Sequence, residues 1–433
     1  MSNISNTTLG EVCDFVGGSQ PAKKEFINTK KEGYIRLIQI RDYKTDSYIT
    51  YIPKDSTKKL CSKTDIMIGR YGPPIFQILR GIEGAYNVAL MKAIPKDNIT
   101  NNYLYYFLKQ KHLFEYINAL SPRTGGQTGV DVLMLKQFPI QLPELEKQKQ
   151  IAKVLSDLDA KIEINNKINQ ELEAMAKTLY DYWFVQFDFP DKNGKPYKSS
   201  GGKMVFNEAL KREIPEGWES GTFETISTII GGSTPSKAVT ENFTIEDNMS
   251  WITPKDLSIN KGKKFITRGE WDVTDLGIKS ASLKIMPKGT VLLSSRAPIG
   301  YLAISRQEVT TNQGFKSFVP KENYSSEFIY YSVKNQIPKI EAYSSGSTFK
   351  EVSSSTLKTI KISIPNQNVL EQYYKISKPI FKKQNLLELE NQKLSELRDW
   401  LLPMLMNGQV RVAGLVEEGL GLVAEEGVKY GEG

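Results

Sequence analysis

The sequence predicts an α+β fold: two pseudo-repeated, small, irregular β-rich α/β heads joined by two long helices packed as an antiparallel coiled coil. Three observations predict it. Residues 144–187 form an apolar-striped stretch with no Gly or Pro until Pro190. A second apolar-striped stretch, residues 366–407, aligns with the first without a gap at an offset of 222 residues. Each is preceded by short strand-like runs punctuated by Gly and Pro, as in a small, mostly antiparallel sheet or barrel. The repeat divides the chain into a first head (1–143), a first spacer helix (144–187), a linker (188–215), a second head (216–365), a second spacer helix (366–407) and a tail (408–433).

The first head opens with Leu9-Gly-Glu-Val-Cys-Asp-Phe-Val-Gly-Gly-Ser19, an alternating segment running into a Gly-Gly turn. Strand-like Tyr34–Ile40 ends at Arg41-Asp42, and Ile66-Met-Ile68 is broken by Gly69-Arg-Tyr-Gly-Pro-Pro74. Asn101–Ala119 reads as one helix with Leu104, Phe107, Leu108 and Phe114 on a single side. A Gly-rich loop, Ser121–Gly129, leads to Pro143 and the first spacer helix.

The second head repeats this plan. Ile230-Gly-Gly-Ser233 matches the turn at Ser19, and Trp251–Asp256 matches Leu37–Asp42, both at an offset of 214. Val291–Pro298 answers Ile66–Pro73, Asn312 answers Asn87, Phe328–Tyr331 answers Tyr103–Tyr106, and Ser344–Thr348 answers the first Gly-rich loop. Residues 188–215, rich in Gly, Ser, Lys and Pro, read as a linker with little regular structure. The Gly/Glu-rich tail reads as weakly docked.

The first spacer stripe runs Ile151, Leu155, Leu158, Ile162, Asn165, Asn169, Leu172, Met175 or Ala176, Leu179 and Trp183. The second runs Tyr373, Ile376, Ile380, a polar step at Lys383 or Gln384, then Leu387, Asn391, Leu394, Leu401 and Leu405. Leu158, Leu172 and Leu179 answer Ile380, Leu394 and Leu401, the positions expected to hold the spacer together and carry partners. At 1.5 Å per residue each helix would be roughly 60–65 Å long, too exposed to persist alone, so the two should pair. Buried Asn in such a seam costs stability and fixes register.

Composition excludes several classes. No run is long and apolar enough for a membrane span, and the first ten residues lack the pattern of a secretory signal, so the cytoplasm is the expected compartment. Cys13, Cys61 and the lone His112 cannot build a Cys/His zinc site or a disulfide framework. There is no phosphate-binding G-x-x-x-x-G-K-[ST] and no strand-linked G-x-G-x-x-G. Gly72-Pro-Pro-Ile75 has Gly and Ile where an amino-methyltransferase motif needs Asn and an aromatic. No catalytic residue and no metal site is expected.

Charge points elsewhere. Residues 1–143 carry 19 Lys/Arg against 12 Asp/Glu, and residues 200–365 carry 21 against 17, so the positive excess sits in the heads. A polyanion partner fits this distribution; solvated lysine faces are the competing reading. Base edges call for Arg, Lys, Asn and Gln, and phosphates accept from cations, hydroxyls and open backbone N–H groups. Positions of these types that recur in both heads are Arg41 and Lys255, Arg70 and Arg296, and Asn87 and Asn312. Arg123 and Gln127 in the first Gly-rich loop, and Ser347 and Lys350 in the second, complete the candidate DNA-binding set. Surface ion pairs compete as the role of each Arg, turn capping as that of the Asn pair, and plain connection as that of the loops.

With these features in place, the chain resembles the specificity (S) subunit of type I restriction-modification systems over residues 9–412. The resemblance rests on the duplication, on Leu142-Pro-Glu-Leu-Glu-Lys-Gln148 before a long helix, on Ile364-Pro365 and Leu370-Glu-Gln372, and on the closing Leu401-Leu-Pro-Met-Leu-Met-Asn-Gly-Gln-Val410. The second copy departs from the family's usual Pro-Pro-x-x-Glu-Gln through the Asn-rich interval 366–368. The resemblance implies two target-recognition domains, each reading half of a bipartite double-stranded DNA site, with the helices as ruler. It also implies two methyltransferase (M) subunits and two restriction (R) subunits as partners. S-adenosylmethionine, ATP and Mg²⁺ would then be bound by those partners and no cofactor by this chain. A specificity subunit of a related bifunctional type II system and a coiled-coil scaffold that binds no DNA are the alternatives.

Overall fold

Both heads begin from the same local chemistry. Thr8 and Thr222 head one-turn helices, Leu9–Val12 and Phe223–Ile226. The side chain at the third helical position reaches back to the first free N–H in each: Glu11 Oε2 to the Thr8 N–H at 2.8 Å, Thr225 Oγ1 to the Thr222 N–H at 3.0 Å. The apolar residues so presented, Leu9, Val12, Phe223 and Ile226, are fully buried. The computed structural model describes residues 5–72, 74–121, 123–124, 127–296, 298–344, 351–410 and 412. These fall into two compact units, residues 1–162 with 393–433 and residues 163–392.

Unit 1 holds two four-stranded sheets. One is antiparallel throughout, in the order Cys13–Gly17, Leu90–Pro95, Ile66–Gly69, Ile78–Arg80. The other runs Thr50–Pro53, Tyr34–Ile38, Gly84–Tyr86, Leu60–Cys61, with a parallel pairing of Tyr34–Ile38 and Gly84–Tyr86. A ribbon of Ser5–Thr8 with Pro139–Leu142 closes the head. The helical region is split into Asn101–Leu108 and Lys111–Leu120. The break at Lys109-Gln110 rotates the second piece, so Leu113 and Ile117 are buried and Phe114, expected inside, is exposed.

Unit 2 repeats this with a five-stranded sheet, Ser227–Gly231, Phe315–Pro320, Val291–Ser294, Leu302–Ser305, Phe265–Ile266. A four-stranded sheet runs Phe243–Thr244, Trp271–Val273, Met249–Ile252, Thr310–Thr311, its last pairing parallel. The closing ribbon is Glu219–Thr222 with Lys361–Ile364. Residues 188–215, expected to lack regular structure, instead form a hairpin, Met204–Asn207 with Arg212–Pro215. Their aromatic and aliphatic content explains the difference: Phe189 stacks on Trp218 at 5.2 Å, and Phe187, Phe189 and Ile214 are buried in the unit's core.

The long helices span Leu145–Tyr180 and Gln367–Met406, 36 and 40 residues, or about 54 and 60 Å. The first ends earlier than the apolar stripe implied, in a π turn at Asp181–Val185. Within unit 2 the helices run antiparallel: Asn165 meets Asn391, Gln384 donates to the Asn169 carbonyl, and Tyr180 packs on Tyr373. Within unit 1, Asp159 on the first helix pairs with Arg398 on the second. The polar breaks in the seam are partly satisfied, with Asn165 Oδ1 and Asn169 Oδ1 buried and lacking a partner among the described residues. Asn165 Nδ2 donates to Asn391 Oδ1 and Glu390 Oε2, each at 2.9 Å, and Asn391 Nδ2 donates to Asn166 Oδ1 at 2.8 Å. Of the two readings Met175 or Ala176, Ala176 is the buried one, and one seam position shifts by a residue: Ser377 is buried where Ile376 was expected.

Candidate nucleic-acid interface

In unit 1 four loops meet around Arg70. A Cβ on Gly18 would lie 2.1 Å from the Asn87 carbonyl oxygen, so only glycine lets the Gly17–Ser19 turn cross the Tyr86–Leu90 loop. The Gly18 N–H donates to the Leu90 carbonyl and the Ser19 N–H to that of Tyr86. The Arg70 N–H donates to the Ala89 carbonyl, and the Arg70 carbonyl accepts from Val130, at the exit of the Gly-rich loop. That loop is a short hairpin pairing Arg123 with Thr128 and Thr124 with Gln127. Arg70 stacks over Tyr71 at 5.0 Å, and its buried Nε has no hydrogen-bond partner among the described residues. A cation held on an aromatic ring with an unused donor is ready for an external acceptor.

Unit 2 builds the same frame. A Cβ on Gly232 would lie 2.0 Å from the Asn312 carbonyl oxygen, and the Ser233 N–H donates to the Thr311 carbonyl. The Ser295 N–H donates to the Gly314 carbonyl, and its own carbonyl accepts from Val352 at the exit of the second loop. Arg296 is therefore not the positional counterpart of Arg70, as the repeat suggested: Ser295 makes the backbone bonds of Arg70, and Arg296 takes the bridge position of Tyr71. The Arg296 guanidinium lies 3.8 Å from Glu351, which also faces Lys316 at 3.4 Å.

The remaining candidates distribute as follows. Asn87 and Asn312 are turn builders: their Oδ1 atoms accept from the N–H groups of Ala89 and Gly314, and each backbone N–H bonds to the preceding strand end, Ile38 or Ile252. Asn87 is 8% exposed, which removes it from the reading surface. Arg41 and Lys255 sit on short helices, Ile40–Tyr43 and Pro254–Ile259, that follow those strand ends. Buried Asp42 and Asp256 cap these helices through the Gln39 and Thr253 N–H groups, both at 2.7 Å. Arg41 lies over Tyr48 at 5.5 Å, whereas Lys255 is paired with Glu270. Ser347 and Lys350 lie outside the described residues.

The spacer set splits too. Leu158, Leu172 and Leu394 are half-buried; Leu179 and Ile380 pack against the core of unit 2, and Leu401 against that of unit 1. The exposed apolar residues on the first helix are others: Leu145 at its start, and Ile164, Ile168 and Met175, whose spacings share one face.

Each head is tied to the helices through a tyrosine that the repeat places equivalently. In unit 1 the Tyr106 hydroxyl donates to Asp159 at 2.7 Å, and Arg398 donates to the other carboxylate oxygen at 2.7 Å. In unit 2 the Tyr331 hydroxyl donates to Glu173 at 3.0 Å, and Lys264 and Lys334 each approach that carboxylate to 2.6 Å. Lys264 also donates to Gln384 at 2.7 Å and lies 3.8 Å over the Phe381 ring. Glu388 accepts from the N–H groups of Lys264 and Phe265 and from Arg306. Burial pushes Glu173 up, but the ammoniums of Lys264 and Lys334 overcome it and hold the carboxyl at about 2. Burial pulls Lys264 down to about 8, against Glu173, which leaves it charged at neutral pH. Neither lysine nor Glu173 was singled out from the sequence; the recurring Tyr106/Tyr331 was the available signal.

Among the described residues no group of three or more side chains could hold a metal ion, and no helix is long and apolar enough to cross a membrane. The two heads thus share a duplicated frame of loops that carries cations. Residues 1–174 and 215–398 match the type I restriction modification DNA specificity domain, and the chain belongs to that family. It is 39% identical over 208 residues to the type I restriction enzyme MjaIX specificity subunit of Methanocaldococcus jannaschii, an alignment spanning 46% of either chain. The putative MjaX specificity subunit of the same organism is 27% identical over 431 residues and 93% of each chain. The crystal structure of a type I restriction-modification S subunit from M. genitalium shares the fold, with a TM-score of 0.55 at 15% identity, covering 93% of this chain and 96% of that one. The chain is thus a DNA-specificity subunit, a recognition component of that family.

Proposed function

We propose that each head reads one half of a bipartite double-stranded DNA site and that the paired helices set the unread gap. The observation that carries this reading is the four-loop frame, whose main backbone bonds recur around Arg70 in the first head and Ser295, next to Arg296, in the second. Open backbone N–H groups and hydroxyls in such turns suit phosphates, and the two arginines suit guanine edges or phosphates. Both long helices contribute residues to both units, as a ruler must. The exposed Ile164, Ile168 and Met175 face is the proposed seat of a methyltransferase subunit. Two such subunits, carrying S-adenosylmethionine, and two ATP- and Mg²⁺-dependent restriction subunits complete the assembly. Methylation-sensitive sequencing of host DNA tests it. A bipartite methyladenine motif should be present with the gene and vanish on its deletion; an unchanged methylome would refute the reading.

A further inference from the structure

The second head has an aromatic cleft that the four-loop frame does not account for. Trp251 and Trp271 are direct cross-strand partners, and the Phe243 ring lies 5.2 Å from that of Trp251. With Lys237 and Thr240 they line a cleft of about 450 Å³. Trp251 is 4% exposed and Trp271 44%, so one ring is a buried base and the other is open to solvent. The cleft is not remote from the reading face: Trp251 Nε1 donates to the Ser233 carbonyl at 3.1 Å, in the turn that crosses the Asn312 loop. Lys237 follows that same turn and is exposed.

The first head has nothing equivalent at this register. Leu37 stands where Trp251 stands and pairs with Thr50 in place of Trp271; both are buried. The shared frame is conserved between the heads while the cleft is particular to one of them. That is the distribution expected of a feature that tells one half-site from another.

We propose that this cleft takes the 5-methyl edge of a thymine in duplex DNA, so that the second half-site contains an A·T pair at the position facing Trp271; this rests on the DNA-reading function proposed above. Duplex DNA presents one apolar group in the major groove, the thymine methyl, and an aromatic wall is its natural contact. The other candidate contacts of the second head are hydroxyls, backbone N–H groups and cations, so the open Trp271 is the one suited to an apolar partner. Lys237 at the rim supplies a cation for a neighbouring phosphate.

The test uses the full chain with its methyltransferase partner and the bipartite motif found by methylation sequencing. In duplexes carrying that motif, each thymine is replaced in turn by deoxyuridine, which lacks only the methyl group. One position should lose at least about fivefold in affinity, and the motif of the Trp271→Ala variant should become degenerate at that same position. Insensitivity to uracil throughout, or an effect at a position that Trp271→Ala leaves specified, would overturn the proposal. The uracil series uses the unaltered chain, so it stays decisive if the variant folds poorly. Absence of any bipartite motif with the unaltered chain is a different failure, that of the DNA-reading function itself.

Discussion

The two heads share a backbone frame and differ in how their charges are held. In the first, Arg70 rests on Tyr71 with a free donor. In the second, Arg296 faces Glu351, which also serves Lys316. The anchors differ the same way. Tyr106–Asp159–Arg398 is a short run of contacts ending on Asp399, with the Asp159 and Arg398 side chains 28% and 21% exposed. Tyr331–Glu173–Lys264 is a network with Lys334, Gln384, Glu388 and Arg306 behind it, and the Lys264 side chain is 3% exposed. Duplication therefore preserved which residue joins head to helix and left free how much polar chemistry surrounds it.

The largest expected effect breaks the denser anchor. Lys264→Met leaves Gln384 and Tyr331 without their buried cation and Glu173 with one ammonium instead of two; it should destabilise unit 2 by about 3–5 kcal/mol. Asp159→Ala in unit 1 should cost about 1–3 kcal/mol, because water can reach what it exposes. Hydrogen exchange, read separately for the amides of each unit, measures both. Equal costs would erase the distinction between the anchors.

Acid sharpens the same contrast. Glu173 titrates at about 2 in the folded protein against the ordinary 4.5, so the unfolded chain binds more protons between these values. Its contribution is complete above about pH 4.5 and is lost as pH falls toward about 2. After allowing for a side chain 32% exposed, it amounts to no more than about 3 kcal/mol. The stability gap between the native chain and Glu173→Gln should close over that window; a gap independent of pH would show that the carboxylate's charge is not what matters.

How much of this was legible in the sequence follows from which interactions are local. The helices, their register and the buried Asn165 and Asn391 follow from periodicity and a constant offset, because a helix repeats its geometry along the chain. The Gly-Gly turns were visible for a similar reason, whereas the pairing of Arg70 with Arg296 was off by one, because Ser295 takes the Arg70 position. The choice between Met175 and Ala176 and the one-residue shift at Ser377 were not, since they depend on which head packs beside the seam. Nor were Glu351, Glu173 and Lys264: their partners lie 35 to 211 residues away, and nothing in a single chain's pattern announces an ion pair at such separations. The linker misled because its Gly and Pro content concealed Phe189 and Ile214, whose burial pins it down.

On DNA the two arginines should separate. Arg70→Ala removes an unpaired, ring-stacked guanidinium, which should weaken binding of the assembled complex about tenfold or more. Arg296→Ala should cost several-fold less, because in the free protein part of that charge is already answered by Glu351. Titration of labelled duplex at fixed salt compares them directly. Comparable losses would mean that DNA displaces Glu351 without penalty.

The smallest effect is the most specific. Glu351→Gln keeps the shape of the side chain while removing the negative charge between Arg296 and Lys316. If that carboxylate restrains the second head's cations, the variant should bind DNA two- to fivefold more tightly than the native chain, and its affinity should fall more steeply with salt, since two cations are then free to displace counterions. The Arg296→Ala penalty, measured again in the Glu351→Gln background, should grow toward that of Arg70→Ala. Should the penalty stay as small as before, the difference between the heads lies in how their loops present the arginines, and pairing with Glu351 is incidental.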